Sequence, residues 1–541
     1  MAHLPVPRAE LTASAGPAAG VASVAGGVGL RPVVPGPAMD LVRTLWANGH
    51  AAYVVGGSLR DALLGREPYD WDFTTDAPPE RIQQLFPGAI YENRFGTVAV
   101  RRDGVEYEIT TFRSDHEYAD HRRPHRVEFG TSIEEDLARR DFTVNAIAWG
   151  AEAPVAPEGG AAAVEGGARA PEGAGAPAVA EDAEAPVAPE GRTAAAEGGH
   201  GAGGRHAARP RAPAESPFPE PVPALVDPFD GAADVRAHVL RAVGDPDARF
   251  HEDALRMIRA VRLAAALEFT VEPATLAAIR RQAPLADHLS GERIAAELER
   301  LLRAERPSVG LQLLQETGLL GVISPDLALQ KGMAQNKIPG EDLWDHTVRA
   351  VDAPGPDRPI VRLAALLHDI GKPATETAGG YPEHERMGAV MAEALLVRLR
   401  FPRSIVTRVG HLIRHHMFTY ESAWSDAAVR RFIARIGRHA LEELFELREA
   451  DNVGSGLPQD AGLVELRRRV AEQLEMHVAL SLQDLAIDGD DLMRELGLPE
   501  GPELGHLLET LLDQVIANST LNDRPTLLLL AQSTLGDEDD R

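Results

Sequence analysis

Val54-Val55-Gly56-Gly57-Ser58-Leu59-Arg60-Asp61, followed eight residues later by Asp70-Trp71-Asp72, carries most of what this chain reveals about itself. The apolar run 52–55 predicts a short strand, Gly56-Gly57-Ser58 a turn, and residues 59–64 the start of a helix. Such a turn lets backbone N–H groups approach a phosphate, and the helix behind it adds positive potential. Gly56, Gly57 and Ser58 are thus nucleotide-binding candidates, with Arg60 placed to meet triphosphate oxygens. Asp70 and Asp72, two apart on a strand expected around 71–74, project from one face. Carboxylates so placed can hold Mg²⁺ ions that activate a hydroxyl and steady a pyrophosphate leaving group. Glu108, on the matching face of a later strand, is the candidate third carboxylate.

Working outward, residues 97–101 and 105–112 read as further strands, the second alternating Val105, Tyr107 and Ile109 with Glu106, Glu108 and Thr110. A helical pattern (Leu41, Val42, Leu45, Trp46) precedes the first strand. Residues 1–37 form an Ala/Gly/Pro/Val-rich leader without the basic start and solid apolar stretch of a signal peptide. Residues 151–223 are a second low-complexity segment of Ala, Gly, Pro and Glu in which APVAPEG occurs twice, at 153–159 and 185–191. It has almost no large apolar residues to offset ordering entropy, so a solvated linker is expected. Beyond it, 224–230 and 238–243 still read as strands, and after Asp247 the pattern is helical to the end. The predicted fold class is therefore α+β: a mixed-sheet head, then a long all-α body.

Composition narrows the function classes. The 541 residues hold 55 Lys and Arg against 82 Asp and Glu, a net charge of −27. That excludes attachment to nucleic acid by bulk charge, though not a local basic groove. The absence of cysteine excludes disulfides, thiolate metal sites and a Cys nucleophile. No run of about 18 apolar residues is present, so no membrane partner is expected, and the cytoplasm is the expected location.

With these residues quoted, the head resembles the polymerase-β-type nucleotidyltransferases. More narrowly it is similar to the bacterial class II CCA-adding tRNA nucleotidyltransferases and their poly(A) polymerase relatives. The likeness continues through Phe95-Gly96-Thr97-Val98, Glu108-Ile109-Thr110-Thr111-Phe112-Arg113 and the loop-like Tyr118-Ala119-Asp120-His121-Arg122-Arg123-Pro124. It resumes at Glu135-Asp136-Leu137-Ala138-Arg139-Arg140-Asp141-Phe142-Thr143-Val144-Asn145, at Leu225-Val226-Asp227-Pro228-Phe229-Asp230-Gly231, at Glu252-Asp253-Ala254-Leu255-Arg256 and at Ser290-Gly291-Glu292-Arg293-Ile294. It covers about residues 38–532, with 151–223 interrupting it.

Asp253, Arg256, Arg259 and Arg262 recur every three residues, a stripe down one side of a predicted helix. Asp accepts from an exocyclic amine and Arg donates to a ring nitrogen or carbonyl, so the pair can read the Watson–Crick edge of cytosine or adenine. The resemblance implies this use for Asp253 and Arg256, with Arg259 and Arg262 nearer the triphosphate. It also implies nucleotide contacts for Arg139, Arg140, Asp141 and Asn145, and tRNA, CTP and ATP as partners. Poly(A) addition is the alternative within the same chemistry. The Arg139–Asn145 segment looks like the CCA-adding form, and the intact 118–124 loop counts against a CC-only enzyme.

A second constellation lies in the helical body: His346, His368-Asp369, His384, His415 and Asp451, with Gly371-Lys372 close behind the His-Asp pair. Neutral imidazole and carboxylate suit divalent transition metals. The ordered set resembles the HD-type metal-dependent phosphohydrolases. That likeness implies His346, His368, Asp369 and Asp451 as primary ligands of a divalent metal, His384 and His415 as support for a second, and Lys372 as a phosphate contact. A rival from another class follows: a phosphohydrolase whose head only binds RNA. The expected organisation is leader 1–37, head 38–150, linker 151–223, end of head and nucleotide-selecting neck 224–306, body with HD domain 307–455, and helical tRNA-binding tail 456–541.

Overall fold

The computed structural model describes residues 32–68, 70–91, 96–116, 126–130, 132–153, 218, 220–335, 337–476 and 478–539. Most of the leader, most of the 151–223 linker and the 118–124 loop lie outside the described residues. The head is a seven-stranded sheet of β1 (Ala52–Val55), β2 (Asp72–Thr75), β3 (Ile90–Tyr91), β4 (Thr97–Arg102), β5 (Val105–Thr111), β6 (Ala148–Ala151) and β7 (Ala224–Val226). Their spatial order is β3-β4-β5-β2-β1-β6-β7. Only β2 and β5 run parallel, with Asp72 opposite Glu108.

All four residues of β1 are buried because the sheet is covered on both faces. Ala52 and Val54 face a core with Phe73, Ile109 and the α1 helix (Gly36–Ala47), which contributes Leu41, Val42, Leu45 and Trp46. Tyr53 and Val55 face the other way, onto Phe112, Leu137, Ala146, Ala148 and Val243.

Four local expectations change. The α2 helix spans Gly56–Leu63, so Gly56-Gly57-Ser58 is the first helical turn and not a turn before it. Gly56 takes φ of 74°, left-handed backbone that favours glycine. This early turn also ends the β1–β2 ladder at Val55 opposite Asp72. Asp70 is therefore left in a bend ahead of the strand, and does not share it with Asp72. The predicted strand 224–230 stops at Val226 because the Asp227 carboxylate turns to accept from the N–H groups of Gly231 and Ala232, at 2.7 and 2.9 Å. Likewise 238–243 reduces to the two-residue strand Val239–Leu240, paired with Thr270–Val271.

The neck and body share one helical core, built on α3 (Leu255–Leu267), α4 (Gly291–Leu302), α5 (Leu343–Asp352), α6 (Pro359–Leu367), α7 (His384–Arg398), α8 (Arg403–His415), α9 (Asp426–Ile436) and α10 (Leu441–Gly454). The tail has its own core, with Leu492, Leu504, Leu511, Val515 and Leu527. Arg362 on α6 is 1% exposed and donates to the carbonyls of Leu302, Ala304 and Pro354 at 2.6–2.7 Å. It thereby ties the end of α4 to the body.

A buried carbonyl deprived of its donor costs about 1–3 kcal/mol. Arg362→Met should therefore destabilise the chain by about 3 kcal/mol or more. Chemical denaturation checks this, and an unchanged midpoint would remove the clamp role.

Candidate active site

The head site forms where α2, β2, β5 and the segment 139–145 meet. The Asp72–Glu108 pairing puts these residues side by side on strands about 4.8 Å apart. Burial pushes the Asp72 carboxyl upward, and the negative charge of Asp70 adds to it, while Arg140 opposes. A side chain at Gly56 would place its Cβ 2.9 Å from the Arg140 guanidinium and 3.5 Å from the Asp72 carboxylate. Glycine thus keeps open a cradle bounded by one carboxylate and one cation. A divalent cation fits this donor set, because it relieves the like-charge strain between Asp70 and Asp72.

Arg60 is turned inward, donating to Asn145 Oδ1 at 2.6 Å and to the Asp61 carboxylate at 2.9 Å. Ser58 donates to the Val55 carbonyl and accepts from the Asp72 N–H, a joint between the helix turn and the carboxylate strand. Arg139 and Arg140 share the fully buried Asp136, at 2.7 and 3.3 Å. Asp141 accepts from Asn145 at 3.0 Å and pairs with Arg259 at 2.8 Å. Burial alone would raise its carboxyl, but Arg259 and Asn145 override this and hold it below the usual carboxylate range.

The stripe expected on one helix is divided in two. Asp253 is extended backbone between the helix Pro246–Glu252 and α3, so only Arg256, Arg259 and Arg262 ride on α3. The Asp253 carboxylate accepts from the Leu255 N–H at 3.0 Å and from Arg293 at 2.7 Å. Arg256 is held by Glu252 at 2.5 Å and by the carbonyls of Arg249 and Arg139. Arg259 and Arg262 both reach Glu297 on α4, at 3.6 and 2.5 Å. Arg293 and Glu297 are positioning residues that the sequence reading did not select. The signal for Arg293 was present in Ser290-Gly291-Glu292-Arg293-Ile294, but nothing local ties it to Asp253, forty residues earlier.

The body histidines converge as expected, with one correction. His346, His368 and Asp451 form one buried group, and Asp369, His384 and His416 a second, with the ligand-type atoms of each group within 4.8 Å of one another. His415 is not among them; it stacks edge-on with His411, ring centroids 4.6 Å apart. The helical period decides this: Val409, Leu412, Ile413 and His416 carry the buried face of α8 past its end, and His415 falls a third of a turn away. His368, His384 and His416 each place Nδ1 2.7–2.9 Å from a backbone carbonyl, of Ala365, Tyr381 and Ile413 respectively. A carbonyl only accepts, so each Nδ1 carries a proton and each Nε2 is turned toward the cluster. Asp369 Oδ1, His384 Nε2 and His416 Nε2 are buried with no hydrogen-bond partner among the described residues, as metal ligands would be. Lys372 donates to Asp369 Oδ2 at 2.6 Å, and Lys337 lies 3.7 Å from Asp451.

This sheet and carboxylate arrangement define a nucleotidyltransferase head joined to a helical body. Family models agree along the chain: the poly A polymerase head domain matches residues 52–165, the "Probable RNA and SrmB- binding site of polymerase A" 268–330, and tRNA nucleotidyltransferase domain 2 386–531. A CCA-adding enzyme of Geobacillus kaustophilus is 30% identical over 499 residues, covering 90% of this chain and 94% of that one. One from Levilactobacillus brevis is 29% identical over 503 residues, covering 91% and 96%. The crystal structure of the Bacillus stearothermophilus CCA-adding enzyme in complex with CTP aligns with a TM-score of 0.62 at 26% identity, over 93% of this chain and 98% of that one. The chain belongs to the family of the CCA-adding enzymes, and it is a nucleotidyltransferase. No helix among the described residues is long and apolar enough to cross a membrane.

His416→Ala should weaken Mn²⁺ or Co²⁺ binding at least tenfold by calorimetry, whereas His415→Ala should leave it within twofold. Burial, then His368, pushes the His416 imidazole from 6.5 down to about 3. Between those values the unfolded chain binds a proton that the folded one refuses, so this group's contribution is full above about pH 6.5 and falls as pH drops. Urea unfolding at pH 7 and pH 5 should show a smaller loss in His416→Asn than in the wild type.

Proposed function

We propose that this chain adds CMP, CMP and AMP to the 3′ end of tRNA, from CTP and ATP and without a nucleic-acid template, in the cytoplasm. The observation that carries the reading is the Asp72–Glu108 register beside the Gly56 cradle and Arg140. The family supports it, since the relatives are CCA-adding enzymes and one that is 26% identical was crystallised with CTP.

In this reading Asp70, Asp72 and Glu108 would hold Mg²⁺, which when bound supplies positive charge to the attacking 3′-hydroxyl and the leaving pyrophosphate. Gly57 and the first turn of α2 receive phosphate on backbone N–H groups, and Arg60, steadied by Asn145, offers its guanidinium beside them. Asp253 and Arg256 read the base, with Arg293 orienting the first and Glu252 the second. Arg139 and Arg140, fixed by Asp136, support the nucleotide. Arg259 and Arg262 stand toward the triphosphate, held by Asp141 and Glu297.

A second activity in the same chain is favoured by the buried histidine cluster. His346, His368, Asp369 and Asp451, with His384 and His416, would hold divalent metal that activates water toward a phosphoester, and Lys372 would contact the phosphate.

On a tRNA ending at its discriminator base, CTP alone should add two residues and CTP with ATP three, on a single-nucleotide gel. Long ladders from ATP alone would instead make the chain a poly(A) polymerase. Asp70→Ala should abolish incorporation while leaving hydrolysis of p-nitrophenyl phosphate or its bis ester; His368→Ala should do the reverse. Asp253→Ala should lose CTP-over-ATP discrimination at the first step by tenfold or more, read from competing incorporation. Selectivity equal to wild type would exclude Asp253 as a base reader.

A further inference from the structure

Beside the histidine cluster, the end of α8 and the α9 helix enclose a cleft of about 530 Å³ lined by Met417, Phe418, Thr419, Trp424, Arg431 and Arg435. We propose that this cleft binds a nucleotide of single-stranded RNA, its base stacked on Trp424 and its flanking phosphates on Arg431 and Arg435. The inference deepens the hydrolase reading above and rests on it, since the strand so held is the one whose phosphoester would be offered to the cluster.

Three observations carry it. The first is the aromatic wall. Of five tryptophans, Trp46, Trp71, Trp149 and Trp344 are less than 10% exposed, whereas Trp424 is only half-buried. Tyr420 and Phe432 pack against it with ring centroids 5.4 and 6.1 Å away, so it is held in place at the cleft. A fixed, accessible indole is a stacking platform for any base.

The second is charge. Arg431 and Arg435 are exposed, one turn apart on α9, and among the described residues neither forms an ion pair; Arg435 lies instead over the Phe432 ring. In a chain with 82 acidic residues, unmatched arginines in register are selective placement and not excess. The nearby carboxylates are already engaged: Asp426 pairs with Arg469 at 2.7 Å and Glu393 with Arg414 at 3.5 Å. Two cations about 6 Å apart along a helix suit successive phosphates of a strand better than one free nucleotide.

The third is continuity with the cluster. Met417 and Phe418 directly follow His416. The Arg448 guanidinium stands over the Phe418 ring at 5.8 Å and reaches the Asp451 carboxylate at 3.3 Å. A single side chain thus separates the cleft from a candidate metal ligand.

The test uses the full-length protein and tryptophan fluorescence, with Trp424→Phe to assign the signal. A single-stranded RNA hexamer should quench Trp424 emission saturably. Arg431→Ala/Arg435→Ala should weaken that binding tenfold or more. It should also lower the slope of log K against log salt by about 1.4, the value for two phosphate contacts on a single strand. Arg431→Lys/Arg435→Lys, which keeps both charges, should retain the salt slope. A hexamer that leaves Trp424 unquenched, or binds the double alanine variant as tightly as wild type, overturns the site. Equal affinity for CMP overturns its specificity for a strand, and equal quenching by inorganic polyphosphate overturns stacking. Saturable, arginine-dependent quenching without phosphodiester hydrolysis upholds the cleft and sinks the hydrolase reading. Hydrolysis without quenching does the opposite.

Discussion

The Asp141 carboxylate is the junction on which the nucleotide site depends. One oxygen accepts from Asn145, which in turn accepts from Arg60 on α2; the other pairs with Arg259 on α3, which reaches Glu297 on α4. A single chain of polar contacts thus joins α2 of the head to α3 and α4 of the neck. Its members are largely removed from water, where an unpaired charge is costly and breaking one partner loses about 3–5 kcal/mol. The two halves of the pocket are consequently registered to each other by electrostatics. Apolar packing alone would tolerate small slips between them.

The body solves a different problem with a different device. Its imidazoles and carboxylates face one another out of water, with Asp369 beside His368 at 3.2 Å and Lys372 at 2.6 Å. Helix geometry supplies the orientation: three imidazoles donate Nδ1–H to the carbonyl three residues back, and their Nε2 atoms are turned inward. Close packing sets the distance. Gly371 lies where a Cβ would be 2.4 Å from the His384 carbonyl, and Gly454 where it would be 2.8 Å from that of His346. Backbones carrying ligands can approach this closely only without side chains between them.

The two centres divide the chain's charge between them. Head and neck collect arginines around a few carboxylates, with Asp136 serving both Arg139 and Arg140 and Glu297 serving Arg259, Arg262 and Arg300. Cations with such fixed partners are pre-aimed, so a polyanionic ligand meets an ordered array and not flexible side chains. In a chain of net charge −27, the acidic residues at this site act as holders of arginine.

Much of this was legible in the residues because it is local. Period-two alternation marked β5, the apolar run marked β1, Gly-Gly before Asp-x-Asp marked the head chemistry, and the ordered histidines and aspartates marked the body cluster. Where the reading failed, the deciding force acted from elsewhere in the chain. His416 and not His415 joins the cluster because the phase of α8, set by its packing against the core, selects the inward position. Asp253 leaves the helix because its carboxylate caps the first turn of α3 and meets Arg293, forty residues on. Arg60 turns toward Asn145 because burial demands a partner for its guanidinium. Local patterning sets which chemical groups are available and where most strands and helices lie, since backbone periodicity and turn chemistry are properties of neighbours, while 224–230 and 238–243 show tertiary pairing trimming a strand. Only the tertiary structure decided which group faces which, as in Asp72 beside Glu108 or Arg259 upon Asp141, because those pairings come from packing whole layers together and leave no trace in local spacing.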